Sequence, residues 1–110
     1  MSAFGAIATT QDVLTQTVQY ETPGEAGSVT IATNSAILIL NPSGALSACT
    51  VTMPASPADK SIVCICSSQA ITTLTLTSAK TVNGGIATLA ANAFAQYIYN
   101  STADKWFRCG

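Results

Sequence analysis

Ile71-Thr72-Thr73-Leu74-Thr75-Leu76-Thr77 is the clearest alternation in this chain of 110 residues. Its period of two sets Leu74 and Leu76 facing inward and Thr73, Thr75 and Thr77 facing outward. β-Branched Thr favours extended backbone, so pattern and propensity agree on a strand. The segments around it read the same way. Val29-Thr30-Ile31-Ala32-Thr33 alternates, with Val29, Ile31 and Thr33 on one face. Ala48-Cys49-Thr50-Val51-Thr52-Met53 alternates again. Ala36-Ile37-Leu38-Ile39-Leu40 and Ser61-Ile62-Val63-Cys64-Ile65-Cys66 are continuous apolar runs, which predict strands buried on both faces.

Turn signals separate these runs. Asn34-Ser35, Asn41-Pro42-Ser43-Gly44, Pro54-Ala55-Ser56-Pro57-Ala58-Asp59-Lys60 and Asn83-Gly84-Gly85 all carry turn residues. Ile86–Ala93 is Ala-rich and fits either a strand with a loop or one helical turn. Phe94–Tyr99 and Lys105–Cys109 read as a terminal hairpin that gathers Tyr97, Tyr99, Trp106 and Phe107. About seven or eight short strands at roughly 8–12-residue spacing predict an all-β fold, a compact antiparallel sandwich or barrel. No sequence repeat is evident.

Residues 1–27 differ from the rest. They hold Gln11, Gln16, Gln19, Asp12, Glu21 and Glu25 and no basic residue. Apart from Thr17-Val18-Gln19-Tyr20, which alternates like a short strand, they lack a steady period. The reading is an extended N-terminal arm over 1–27 and a single β domain over 28–110. Ala6-Ile7-Ala8 resembles a small-residue cleavage site, but no basic segment precedes it and the apolar stretch falls short of the roughly 7–15 residues of a secretory signal. A complete, unprocessed product is therefore expected.

Charge narrows the function classes. Only 8% of residues are charged and the net charge is −1, against roughly 25% charged in an ordinary soluble domain. Lys60, Lys80, Lys105 and Arg108 are too dispersed to neutralise phosphates, so no nucleic-acid partner is expected. Polar residues interrupt every apolar stretch, so no membrane span is expected. Disorder is equally disfavoured in a chain that is 48% hydrophobic. A surface of Thr, Ser and Ala with so little charge favours association.

Catalytic chemistry has little to work with. Histidine is absent and the five carboxylates are scattered. Serine has no base partner, and Asp59 and Asp104 sit where turns want an Asp. No catalytic residue, cofactor or metal ligand set is assigned. Cys64-x-Cys66 places two thiols on one strand face, poorly set for a mutual disulfide. With Cys49 and Cys109 isolated, the usual zinc spacing is missing. The thiols read as small buried hydrophobes, with a Cys49–Cys109 bridge as the alternative. Free thiols suit assembly in a reducing cytosol.

The second half of the chain also resembles a known group. It carries Thr50-Val51-Thr52-Met53-Pro54-Ala55-Ser56-Pro57-Ala58-Asp59, Ser68–Leu76, Val82-Asn83-Gly84, Leu89–Phe94, Tyr97 and Trp106-Phe107-Arg108-Cys109-Gly110. This resembles small β-rich domains of bacteriophage virions, found in capsid decoration (cement) proteins, head fibres and tail-fibre segments. Those domains often have Asp-Gly-Gln where this chain has Asp59-Lys60-Ser61. The resemblance implies a virion structural protein, commonly a homotrimer, made in the bacterial cytoplasm. A short chain with an arm suits a cement on the outer surface of the capsid, bound to the major capsid protein and stabilising the head. Phe4, Ile7, Val13, Leu14, Val18 and Tyr20 are the candidate capsid contacts on the arm. The alternative is a head-fibre or tail-fibre tip that binds host glycans through Tyr97, Tyr99 and Trp106.

Overall fold

The computed structural model describes residues 17–32 and 35–110. Among them are nine strands: β1 (Thr17–Glu21), β2 (Gly27–Thr30), β3 (Ser35–Leu40), β4 (Leu46–Thr52), β5 (Ile62–Ser67), β6 (Ile71–Thr77), β7 (Thr81–Asn83), β8 (Phe94–Asn100) and β9 (Lys105–Arg108). The described chain contains no helix, so the all-β expectation holds.

The arrangement corrects the expected sandwich or barrel. The chain winds as a β-solenoid of about three turns. From β1 to β7 successive strands alternate between two sheets, ordered β1-β3-β5-β8-β9-β7 and β2-β4-β6. β1, β3 and β5 run parallel, as do β2, β4 and β6. Parallel neighbours need a crossover between them, and each crossover here is a strand of the other sheet. The short Gly- and Pro-containing links are thus corners between sheets, where a sandwich would have hairpins. Only the last part is antiparallel: β8 pairs with β5, and β9 with β8. β7 then joins the outer edge of β9 in parallel.

Stacking the turns places like positions over one another. In the first sheet, Gln19, Leu38, Ile65 and Ala95 form one inward row, and the last three are fully buried. In the second, Val29, Val51 and Leu76 form another. Leu74 is buried and Leu76 half-buried, while Thr73, Thr75 and Thr77 are exposed, so the alternation of 71–77 is oriented as its pattern predicts. Met53, Val63, Tyr97, Tyr99 and Trp106 complete one continuous core.

The corners hold the turns in register. Asn41 N–H donates to Glu21 O at 2.8 Å, and Ser68 N–H donates to Leu40 O at 3.0 Å. Asn41 Nδ2 also donates to the Tyr20 hydroxyl at 2.7 Å, and Ser68 Oγ to Asn41 Oδ1 at 2.5 Å. This polar ladder crosses all three turns. On the opposite side Glu25 accepts from the backbone N–H groups of Ser47 and Ala48 and from the Ser47 hydroxyl. Satisfying backbone donors in this way is what a corner requires.

The far end of the stack is closed. Ile71 and Leu89 exchange backbone hydrogen bonds of 2.8 and 3.0 Å, and Leu74 N–H donates to Ala87 O at 2.8 Å. The Ala-rich segment therefore lies antiparallel along the edge of β6, which settles its ambiguous pattern. Asn92, at φ 62°, turns the chain into β8.

Strand pairing reaches back to Thr17, inside the stretch read as an arm. Phe4, Ile7, Val13 and Leu14 lie outside the described residues, as does Asn34 of the first expected turn.

Candidate interaction surface

A strand alternates its side chains between two faces, so each inward row of the first sheet has an outward counterpart. Tyr20, Ile39, Cys66 and Phe94 form one such row. Val18, Ile37, Cys64 and Gln96 form the next. Ile62, Ile98 and Phe107 form a third on the later strands. Ten of these eleven side chains are apolar or thiol, and none is charged.

Among the described residues this face is open. Tyr20 is 58% exposed, Phe94 53% and Val18 51%, with Ile62 at 39%. Ile37, Ile39, Cys64, Cys66, Ile98 and Phe107 are half-buried by their neighbours. The runs 36–40 and 61–66 were expected to be covered on both faces. Their inner faces are, through Leu38, Leu40, Val63 and Ile65. Nothing among the described residues covers the outer ones. A shallow groove of about 280 Å³ breaks the face, lined by Ile39, Cys66, Ser67, Ser68 and Asn92.

The second sheet presents a different exterior. Ser28, Thr50 and Thr75 align across its three strands, and Thr30, Thr52 and Thr77 align beside them. This small hydroxyl grid is uncharged as well, but its side chains are short and none leaves a large apolar surface.

All four cysteines are free. Cys49 is buried in the core, as expected of a small hydrophobe. Cys64 and Cys66 are half-buried on the outer face and Cys109 is exposed, which corrects the expectation for those three. Cys49 lies inside and Cys109 outside, and no bridge joins them. Burial pushes the thiols of Cys49, Cys64 and Cys66 up, and the neighbouring Cys66 and Cys109 raise Cys64 further. They are weak nucleophiles at neutral pH.

Three carboxylates are committed to turns. Hydrogen bonds from the Ser47 side chain and backbone hold Glu25 below the usual carboxylate range. The Ser101 N–H, donating at 2.8 Å, does the same for Asp59. Asp104, at φ 57°, accepts from the Tyr99 hydroxyl and pairs with Lys80 at 3.0 Å. That lowers Asp104 and raises both Lys80 and Tyr99. Among the described residues, no three of His, Cys, Asp and Glu gather as a metal-binding group.

Burial leaves the rings named for the alternative sugar platform inside the core. Tyr97 and Trp106 are fully buried and Tyr99 nearly so. Tyr99 and Trp106 do meet across the β8–β9 hairpin, with ring centroids 5.5 Å apart and planes at 61°. Their faces are spent on each other and on the core, so none is free to stack on a sugar. Val18 and Tyr20, expected as arm contacts, stand on β1 at the margin of the apolar face. Pattern reasoning missed the remainder of that face. The signal was present in the apolar outward residues of 36–40 and 61–66, which it assigned to the interior.

No protein-family model, curated protein or solved structure matches the chain.

Proposed function

We propose that the chain is a non-enzymatic structural protein of a bacteriophage virion. In this reading it is a capsid decoration (cement) protein that binds the major capsid protein lattice as a homotrimer. It sits on the outer surface of the head and stabilises it. The observation that carries a structural role is the apolar, charge-poor outer face of the first sheet. Sheets that are apolar on both faces belong between two layers, and exposed patches of this kind mark association surfaces. The solenoid behind that face is tied by backbone bonds across every turn, which makes it a stiff spacer. Residues 46–110 contribute the resemblance to phage virion domains.

Immunogold micrographs of particles released from cells carrying the gene test this reading. Gold on the heads is the expected result. Gold confined to tails, or particles without gold, would overturn it.

A further inference from the structure

We propose that the outer face of the six-stranded sheet, centred on Tyr20, Ile39, Cys66 and Phe94, is where copies of this chain contact one another. The proposal names the self-association surface and holds wherever the assembled protein acts.

Three observations select a second copy as the occupant. The first is charge. The rows described above contain no Asp, Glu, Lys or Arg. Two such faces meet without like-charge repulsion and without stranding a buried ion. Lys105, which pairs with Asn100 and Thr81, lies on the same side of the sheet but at its margin, beyond these rows.

The second is relief. The same row carries projecting rings, Tyr20 and Phe94, and a groove of about 280 Å³ beside Ile39 and Cys66. Knob and hollow on one patch make a surface that can receive its own copy. Symmetric oligomers need that property, because each patch must serve as both donor and acceptor of contact.

The third is area. Five strands at about 4.8 Å spacing and about five residues of strand length give roughly 400 Å² of projected surface. Ring and methyl relief adds to this, and a pair of faces comes close to the ~1,000 Å² that marks a specific interface.

Sedimentation equilibrium of the purified full chain tests the proposal, with no capsid present. The wild-type protein is expected to show the mass of two or three copies. Tyr20→Lys combined with Phe94→Lys is expected to drop it to one copy, with an unchanged far-ultraviolet circular dichroism spectrum. Thr75→Lys, on the other sheet, is expected to leave the mass as it was. Should the double variant fail to fold, Val18→Lys replaces it, since that exposed side chain touches no core row. A wild-type protein of one-copy mass overturns the proposal. So does a folded variant that keeps the oligomer, or an oligomer lost through Thr75→Lys alone. Because no virion is involved, failure here leaves the head location to its own micrographs.

Discussion

Gln19 occupies in the first turn the inward position that Leu38 occupies in the second. Where Leu38 fills the core, the Gln19 carboxamide ties the two sheets together at the end of the stack. Its Nε2 donates to Thr30 O at 2.9 Å, and its Oε1 accepts from Ala32 N–H at 2.9 Å. Nε2 also reaches Glu21 Oε2 at 3.0 Å. A polar residue suits this place because β1 is the last strand on its side of the sheet among the described residues. Gln19→Leu keeps the volume and deletes these bonds. It is expected to lower stability by about 1 kcal/mol, the net worth of ordinary hydrogen bonds that water can partly replace. Urea denaturation followed by circular dichroism measures it.

Leu74 and Thr75 are consecutive on β6 and face opposite ways. Leu74→Ala removes a side chain that is only 3% exposed and is expected to cost about 2–5 kcal/mol. Thr75→Val keeps the shape of an exposed residue and should stay within about 0.5 kcal/mol of wild type. Equal losses at both positions would show that the second sheet is covered on its outer side.

That contrast also shows how far the sequence could be read. Alternation states which side chains face in, and it did so correctly for 71–77. It says nothing about which strand lies alongside. Tyr20 pairs with Ile39, and Ile39 with Cys66 one turn later. In the other sheet Val29 pairs with Val51, and Val51 with Leu76. The stretch of chain between stacked partners is longer in the later turn than in the earlier one, in both sheets. With the spacing varying from turn to turn, no repeat survives in the sequence, although the structure repeats. Most corner links are as short as hairpin loops and contain the same residues, so the sandwich reading followed. The outer apolar face was hidden for a related reason. A continuous apolar run signals two buried faces, and the described residues supply cover for only one of them.

Stability is expected to depend on pH at both extremes. Glu25, Asp59 and Asp104 are held below their ordinary values of 4.5, 3.8 and 3.8. Their unfolded forms bind protons first, so their contribution is complete above about pH 5 and is lost as pH falls from 4.5 through the lower folded values. Lys80 is raised above 10.5 by Asp104, and Tyr99 is raised above 10.0, chiefly by its hydrogen bond to Asp104. Both contributions are present at neutral pH and are lost as pH climbs beyond those values. The thiols of Cys49, Cys64 and Cys66, raised above 9.0, and Tyr97, raised above 10.0, act in the same direction, so the urea midpoint should be flat from about pH 5 to 8 and decline on either side. Asp104→Asn should flatten the part of the alkaline decline above about pH 10, since Lys80 and Tyr99 both depend on that carboxylate.

Among the described glycines, Gly84 is the one whose backbone lies in the left-handed region. Its φ is +81°, and an added Cβ would lie 2.8 Å from the Cβ of Arg108. Its carbonyl accepts the Tyr97 hydroxyl at 3.0 Å, which satisfies a phenol buried in the core. Gly84→Ala strains the backbone and pushes β9 outward at once. A loss of roughly 1–3 kcal/mol is expected. Thermal melts should show it, and Gly85→Ala, which meets only Val82 at 3.9 Å, should show much less.

Two N-terminal truncations separate the body from the segment ahead of it. Removing residues 2–20 deletes most of β1, whose register runs from Thr17 opposite Ser35 to Glu21 opposite Leu40. It also takes away the Gln19 tie and the Tyr20–Asn41 bond, leaving the edge of β3 open to water and to other chains. Removing residues 2–16 spares all of these contacts. The longer deletion is expected to melt well below the shorter one, because lost pairing along a whole strand is a multi-kcal/mol effect in a small domain. If the first sixteen residues supply the proposed shell contacts, particles made with the shorter deletion will carry no gold although the protein is folded. Full labelling of those heads would move the contact to the solenoid itself.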